Sequence, residues 1–201
     1  MRIYLGLKRS GIHAIVESEL PKYYIYYNNV GLSGEYRNVF KGKHKNNDKH
    51  AEYIYVYENH LIANINKHIG KPYILILRDF KNMMSSTIKY HSNKGPKPIE
   101  IHKKTREYWK EHARVALDGD SLLSRVIYYP LWCKQVQYKK IPHFGGGSSF
   151  TRRKFQEKGH KMKTFQRYKK LNKEEKEKYN KIEDKEVREL QKRLDKHFLK
   201  K

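Results

Sequence analysis

Gly6-Leu7-Lys8-Arg9-Ser10-Gly11-Ile12-His13 places two glycines four residues apart, between an apolar run and a segment of helical character. This is the spacing of a phosphate-binding loop. Between a strand and a helix it frees backbone N–H groups and turns the positive end of a helix dipole toward an anion. In loops that bind ATP or GTP, the second glycine is followed by a lysine that reaches the terminal phosphates and a Ser/Thr that ligates magnesium. Here those positions are Ile12 and His13, which argues against a kinase or NTPase. The cation has moved to Arg9, with Ser10 beside it. A second segment, His143-Phe144-Gly145-Gly146-Gly147-Ser148-Ser149-Phe150, offers unhindered N–H groups and two hydroxyls suited to approach an anion or a sugar. Its other reading is a flexible linker, since three glycines hold neither helix nor strand cheaply. His102, His112 and His143 have no metal-ligand spacing, and no nucleophile signature surrounds Cys133. Trp109 and Trp132 read as core residues, and no metal is expected.

Lys8-Arg9-Ser10-Gly11 resembles the 5′-phosphosulfate loop of sulfotransferases, and the string from Gly6 to Ile15 resembles a branch of small microbial and viral sulfotransferase-like proteins. The resemblance spans roughly residues 2–170 and is concentrated in three short blocks. It implies 3′-phosphoadenosine-5′-phosphosulfate as donor, with the amides of Gly11, Ile12 and His13 on the 5′-phosphate and Lys8, Arg9 and Ser10 around it. Arg9 would stabilise the leaving group. The family's arginine at the end of a strand, with a serine eight residues later, corresponds to Arg78 and Ser86 on the 3′-phosphate, where a guanidinium grips bidentately. Phe80 stands where the family often has proline, a departure that implies a differently shaped turn, and a plain ion pair between Arg78 and Asp79 is the alternative role. The GGGSSF segment also occurs in this branch. It carries over Gly146, Gly147 and Ser148, with Arg152, Arg153 or Lys154 closing over the 3′-phosphate. The family's general base, a histidine after the strand preceding the arginine strand, falls at His60, with Glu58 as substitute.

These residues need a scaffold. The run Arg2–Leu7 reads as a buried strand, Ile12–Leu20 as a helix and Tyr23–Tyr27 as a second strand. Lys41–His50 is almost wholly polar and reads as a loop. Next come a strand Tyr53–Tyr57, a helix Leu61–Ile69 closed by Gly70, and a strand Tyr73–Leu77. Uninterrupted apolar strands suit a parallel sheet covered on both faces. A helix from about Asn82 to Tyr90 precedes a linker Ser92–Pro98, followed by a helix Thr105–Leu117 and a strand Arg125–Tyr129 ending at Pro130. From Asn172 the chain favours helix, and Val187, Leu190, Leu194 and Phe198 form one apolar stripe that predicts docking. The expected fold is α/β, a parallel sheet of the P-loop type flanked by helices. Residues 1–170 form the sulfotransferase-like domain, and 171–201 a basic helical extension packed on it.

The 201 residues carry 45 Lys/Arg and 21 Asp/Glu, a formal charge of +24, with 20 of the bases and 9 of the acids in residues 151–201. Polyanions adhere to such a chain at low salt, although a Lys-rich, Tyr-rich composition also follows from an AT-rich genome. The apolar share, 37%, suffices for one core, and no run has the roughly 18 apolar residues of a membrane span. The single cysteine and the lack of a cleavage site after Met1–Leu7 predict a cytoplasmic protein. The expected function is metal-independent sulfuryl transfer to a hydroxyl or amine, with a glycan the acceptor by analogy alone. The alternative is a catalytically degenerate P-loop protein that holds nucleic acid on its basic surface.

Overall fold

The apolar runs at 2–6, 24–28, 52–58, 73–77 and 123–128 become parallel strands of one sheet. In the computed structural model, which describes residues 1–21, 24–35, 38–41, 51–95, 97–135 and 167–199, the elements follow in order. They are β1 (Arg2–Gly6), α1 (Ile12–Ser18), β2 (Tyr24–Asn28), β3 (Asn38–Lys41), β4 (Glu52–Glu58), α2 (Ile62–Ile69) and β5 (Tyr73–Leu77). Then come α3 (Phe80–Lys94), α4 (Ile99–Asp118), β6 (Leu123–Tyr128) and α5 (Tyr129–Gln135). A short 3₁₀ turn (Tyr168–Lys170), α6 (Lys173–Ile182) and α7 (Lys185–Leu199) complete the set. The sheet order is β3-β2-β4-β1-β5-β6, with only β3 antiparallel to its neighbour. The architecture is α/β, five parallel strands flanked by helices with an antiparallel edge, and is compatible with a P-loop-like fold.

Alternation along β1 divides the core. Tyr4 faces Ile12, Ile15 and Val16 of α1, whereas Ile3 and Leu5 face a larger cluster containing Leu75, Leu77 and Trp109. That larger cluster also takes in Leu171, Tyr179 and Ile182, and the stripe Val187, Leu190 and Leu194, so the C-terminal helices share the core of the sheet. Phe198 lies partly buried against it, 5.1 Å from the ring of Tyr128. Trp132 and Cys133 are buried on the α1 side. No helix among the described residues is long and apolar enough to cross a membrane.

Several boundaries differ from the sequence expectation. The third helix starts at Phe80, because Asp79 caps it by accepting from the Asn82 N–H at 2.9 Å. It runs on through Ser92, Asn93 and Lys94, expected as linker. Ser92 Oγ donates to the Ile88 carbonyl at 3.1 Å, which accommodates the serine inside the helix. The next helix begins at Ile99 after Pro98, six residues before Thr105. Tyr129 opens α5 instead of closing β6, since Pro130 in a first turn needs no N–H. The edge strand β3 was not expected, and residues 42–50 of the polar run lie outside the described residues.

The topology creates one opening. The chain leaves β1 toward β2 and leaves the adjacent β4 toward β5, on the other side of the sheet. Ligands of open α/β sheets sit where neighbouring connections diverge in this way, at the carboxyl ends of the strands. Register sets Gly6 opposite Glu58 on one side and Ile76 on the other, so the loop after β1 lies between the ends of β4 and β5.

Candidate anion-binding site

The loop from Leu7 to Gly11 is a tight turn closed by the Ser10 N–H on the Leu7 carbonyl at 3.0 Å. Arg9 (φ 70°) and Gly11 (φ 89°) both adopt left-handed backbone. Asn59, also left-handed at φ 61°, stitches the end of β4 to the loop. Its N–H donates to the Gly6 carbonyl at 3.1 Å, and its Oδ1 accepts from the Lys8 N–H at 2.9 Å. No side chain caps α1 and no acid lies in its first turn. Ile12 is 1% exposed and belongs to the core, so only its backbone is open to a ligand role. The His13 ring is held between Tyr26, whose hydroxyl is 2.7 Å from Nδ1, and Glu58, whose Oε1 is 3.4 Å from Nε2.

Arg78 leaves the end of β5 and is buried. Its Nη1 donates to the Arg9 carbonyl at 2.9 Å, its guanidinium lies 5.0 Å from the centre of the Tyr129 ring, and its carbonyl accepts from Trp109 Nε1 at 2.8 Å. Asp79 lies 4.0 Å away, so the ion pair expected as an alternative is present beside the contact with the loop. Burial pushes the Asp79 carboxyl above its ordinary value, and Arg78 pulls it back. The Arg9 guanidinium lies 4.5 Å over the ring of Tyr90. Protein packed around Arg9 pushes it below the ordinary arginine value. Tyr90 raises it again, Arg78 lowers it, and Glu58 raises it.

A third arginine, Arg167, was not foreseen. Its backbone N–H donates to Asn82 Oδ1 at 2.9 Å, and its guanidinium is lowered by burial, then by Arg78 and Arg9. Every other described arginine has a carboxylate within 4.0 Å, whereas Arg9 and Arg167 have none among the described residues. Ser10 Oγ and Ser85 Oγ are buried without a hydrogen-bond partner among the described residues. Ser86, the serine expected, adjoins Ser85 in α3 and is 9% exposed. Arg9 is exposed and Arg167 half-buried, and their charges, each acted on by Arg78, have no carboxylate partner among the described residues, so they attract an anion.

The two base candidates are separated. Glu58, 8% exposed, faces His13 and acts on Arg9. His60 instead turns its Nε2–H to the Val30 carbonyl at 3.2 Å and stands edge-on to Tyr57. Burial pushes His60 below its ordinary value, and Val30 and Glu35 raise it. Neither partner belongs to the arginine cluster. Lys8 is exposed on the loop. Gly146, Gly147, Ser148, Arg152 and Arg153 lie outside the described residues, as does Lys154. Among the described residues, no group of three or more His, Cys, Asp or Glu is placed to hold a metal. The chain matches no protein-family model, no curated protein and no solved structure.

Proposed function

We propose that the chain is a sulfotransferase-like enzyme that holds a 3′,5′-bisphosphorylated adenosine donor and passes its sulfuryl group to a hydroxyl or amine. The observation that carries this reading is the hold of Arg78 on the Arg9 carbonyl at the diverging ends of the parallel strands, with Arg9 and Arg167 lacking carboxylate partners among the described residues. Ser10 Oγ, buried and without a partner among the described residues, is a donor suited to the same phosphate. The donor supplies a sulfuryl group whose S–O bond to the 5′-phosphate breaks as the bond to the acceptor forms. Arg9 neutralises charge on the departing phosphate oxygen. Arg78 and Ser86 hold the second phosphate, and Arg167, tied by its backbone to Asn82 of α3, adds positive charge. Glu58 accepts the acceptor's proton while the His13 Nε2–H keeps its carboxylate oriented.

Calorimetry at about 0.15 M salt, where exposed charges are screened within about 8 Å, tests the donor site. 3′-Phosphoadenosine-5′-phosphate is titrated in parallel with ATP–magnesium and a short DNA duplex. Selective binding of the bisphosphate is expected. Arg78→Ala should weaken it about 10- to 100-fold, as loss of a charge-assisted hydrogen bond does. Equal binding of ATP–magnesium, or duplex binding with no nucleotide bound, overturns the assignment.

A further inference from the structure

The described cations differ in whether a carboxylate pairs them. Along the contact of α4 with α7, Arg106, Lys110, Arg114 and Arg193 are each paired with carboxylates. A second group of cations has no such partners. Lys8, Arg9, Lys97 and Lys178 come from the loop after β1, the α3–α4 connection and α6, and none has a carboxylate within 4.0 Å among the described residues. They are drawn together. Lys178 Nζ donates to the Lys97 carbonyl at 2.7 Å, tying α6 to the α3–α4 connection. Arg9 lies over Tyr90, and the Tyr90 ring is 5.6 Å from His91. His91 in turn lies 5.0 Å from the ring of His102 on α4, and after burial Lys97, Lys178, Arg9 and Lys8 lower it, in that order. Glu175 does not offset them, because it is 4% exposed and is taken up by Lys89 at 3.1 Å and by the start of α6.

Tyr90 stands in the middle of this strip and is 44% exposed, although one face of its ring carries Arg9. A guanidinium on one face draws electron density from the other. The outer face is thereby made poorer for the C–H groups of a sugar and better for an electron-rich nucleobase. Lysines spaced beside an open aromatic ring are the parts used to hold a flexible phosphodiester chain, phosphates on the cations and a base on the ring. A duplex keeps its bases stacked and gains nothing from Tyr90. We propose that the strip from Lys8 and Arg9 across Tyr90 to Lys97 and Lys178 is a docking track for single-stranded nucleic acid. It stands independently of the nucleotide assigned to the arginine cluster, with Arg9 the residue shared by the two.

The test is fluorescence anisotropy with a labelled oligothymidylate of about ten nucleotides, within the site size of single-strand binders, at about 0.15 M salt. Tyr90→Ala is expected to weaken binding about tenfold, the loss of one stacked base. The pair Lys97→Glu with Lys178→Glu should weaken it further and flatten the salt slope. The pair Arg188→Glu with Lys192→Glu on α7 makes the same charge change and should alter binding by less than about twofold. Equal losses from both pairs overturn the proposal in favour of diffuse charge. An unchanged affinity in Tyr90→Ala overturns it as well, as does heparin binding more tightly than the oligonucleotide with no response to Tyr90. Should the Lys97/Lys178 pair fail to fold, Tyr90→Ala and Lys97→Ala, both at exposed positions, decide the matter.

Discussion

Gly11 is the residue with least latitude in the loop. Its φ of 89° disfavours any side chain, and a Cβ there would lie 2.2 Å from Tyr129 Cε2. Gly11→Ala is expected to cost about 2–4 kcal/mol, combining left-handed strain with a displaced ring. Because Arg78 lies over that ring, anion affinity should fall with it. Urea unfolding reads the first effect, and an unchanged midpoint would show that the loop can relax. The loop from Gly6 to Gly11, with Arg9 and Ser10, was legible in the sequence because glycines between an apolar run and a helical segment mark a turn, whereas Arg78 was singled out by its spacing in the family resemblance. The separation of Glu58 from His60 was not legible. It depends on register, which sets Glu58 beside Gly6, and on Asn59, whose left-handed backbone precedes His60 at Val30. Arg167 carried no signal at all. It reaches Asn82 across 85 residues of sequence, from a segment where arginine and lysine are common.

Among the elements, α6 depends most visibly on its ends. Asn172 Oδ1 accepts from the Glu175 N–H at 2.8 Å, and Glu175 Oε2 accepts from the Asn172 N–H at 2.9 Å. Asn172→Ala should therefore lower stability by about 1 kcal/mol in denaturant unfolding. Glu175 does more than cap, because it also binds Lys89 of α3. Glu175→Ala should exceed the Asn172 loss, and equal losses would mean that the bridge to α3 contributes nothing. Strands β1 and β5 were legible because their side chains are buried on both faces and the sequence is apolar without a break. The stripe on α7 was legible for the same reason at helical period. The helix boundaries at Phe80 and Ile99 were not, because each is set by a cap or a proline outside the apolar pattern. Strand β3 has only four residues and takes its place from antiparallel pairing with β2, its neighbour in the chain, which its own four residues do not announce.

At the scale of the whole molecule, two buried imidazoles couple the fold to pH. His102 and His112 are both 0% exposed, and burial pushes each down to about 4. An unfolded chain takes up protons on such rings as pH falls below about 6.5, whereas the folded chain excludes them until about 4. Acid therefore favours unfolding across that window. The stability lost is up to about 1.4 kcal/mol per pH unit for each ring, and none is lost above it. His60 and His91, lowered in the same direction, add to the slope, while Asp79, raised by burial, opposes it above the ordinary carboxylate value of 3.8. A charge of +24 also makes acid unfavourable through general repulsion, but salt separates the two causes. Repulsion between exposed charges is screened within about 3 Å at 1 M salt, whereas the cost of charging a buried ring is not. Denaturant midpoints measured at pH 7 and pH 5 should thus differ by a similar amount at low and high salt. A difference that vanishes at high salt would assign the acid sensitivity to the surface charge and leave the two buried histidines without effect.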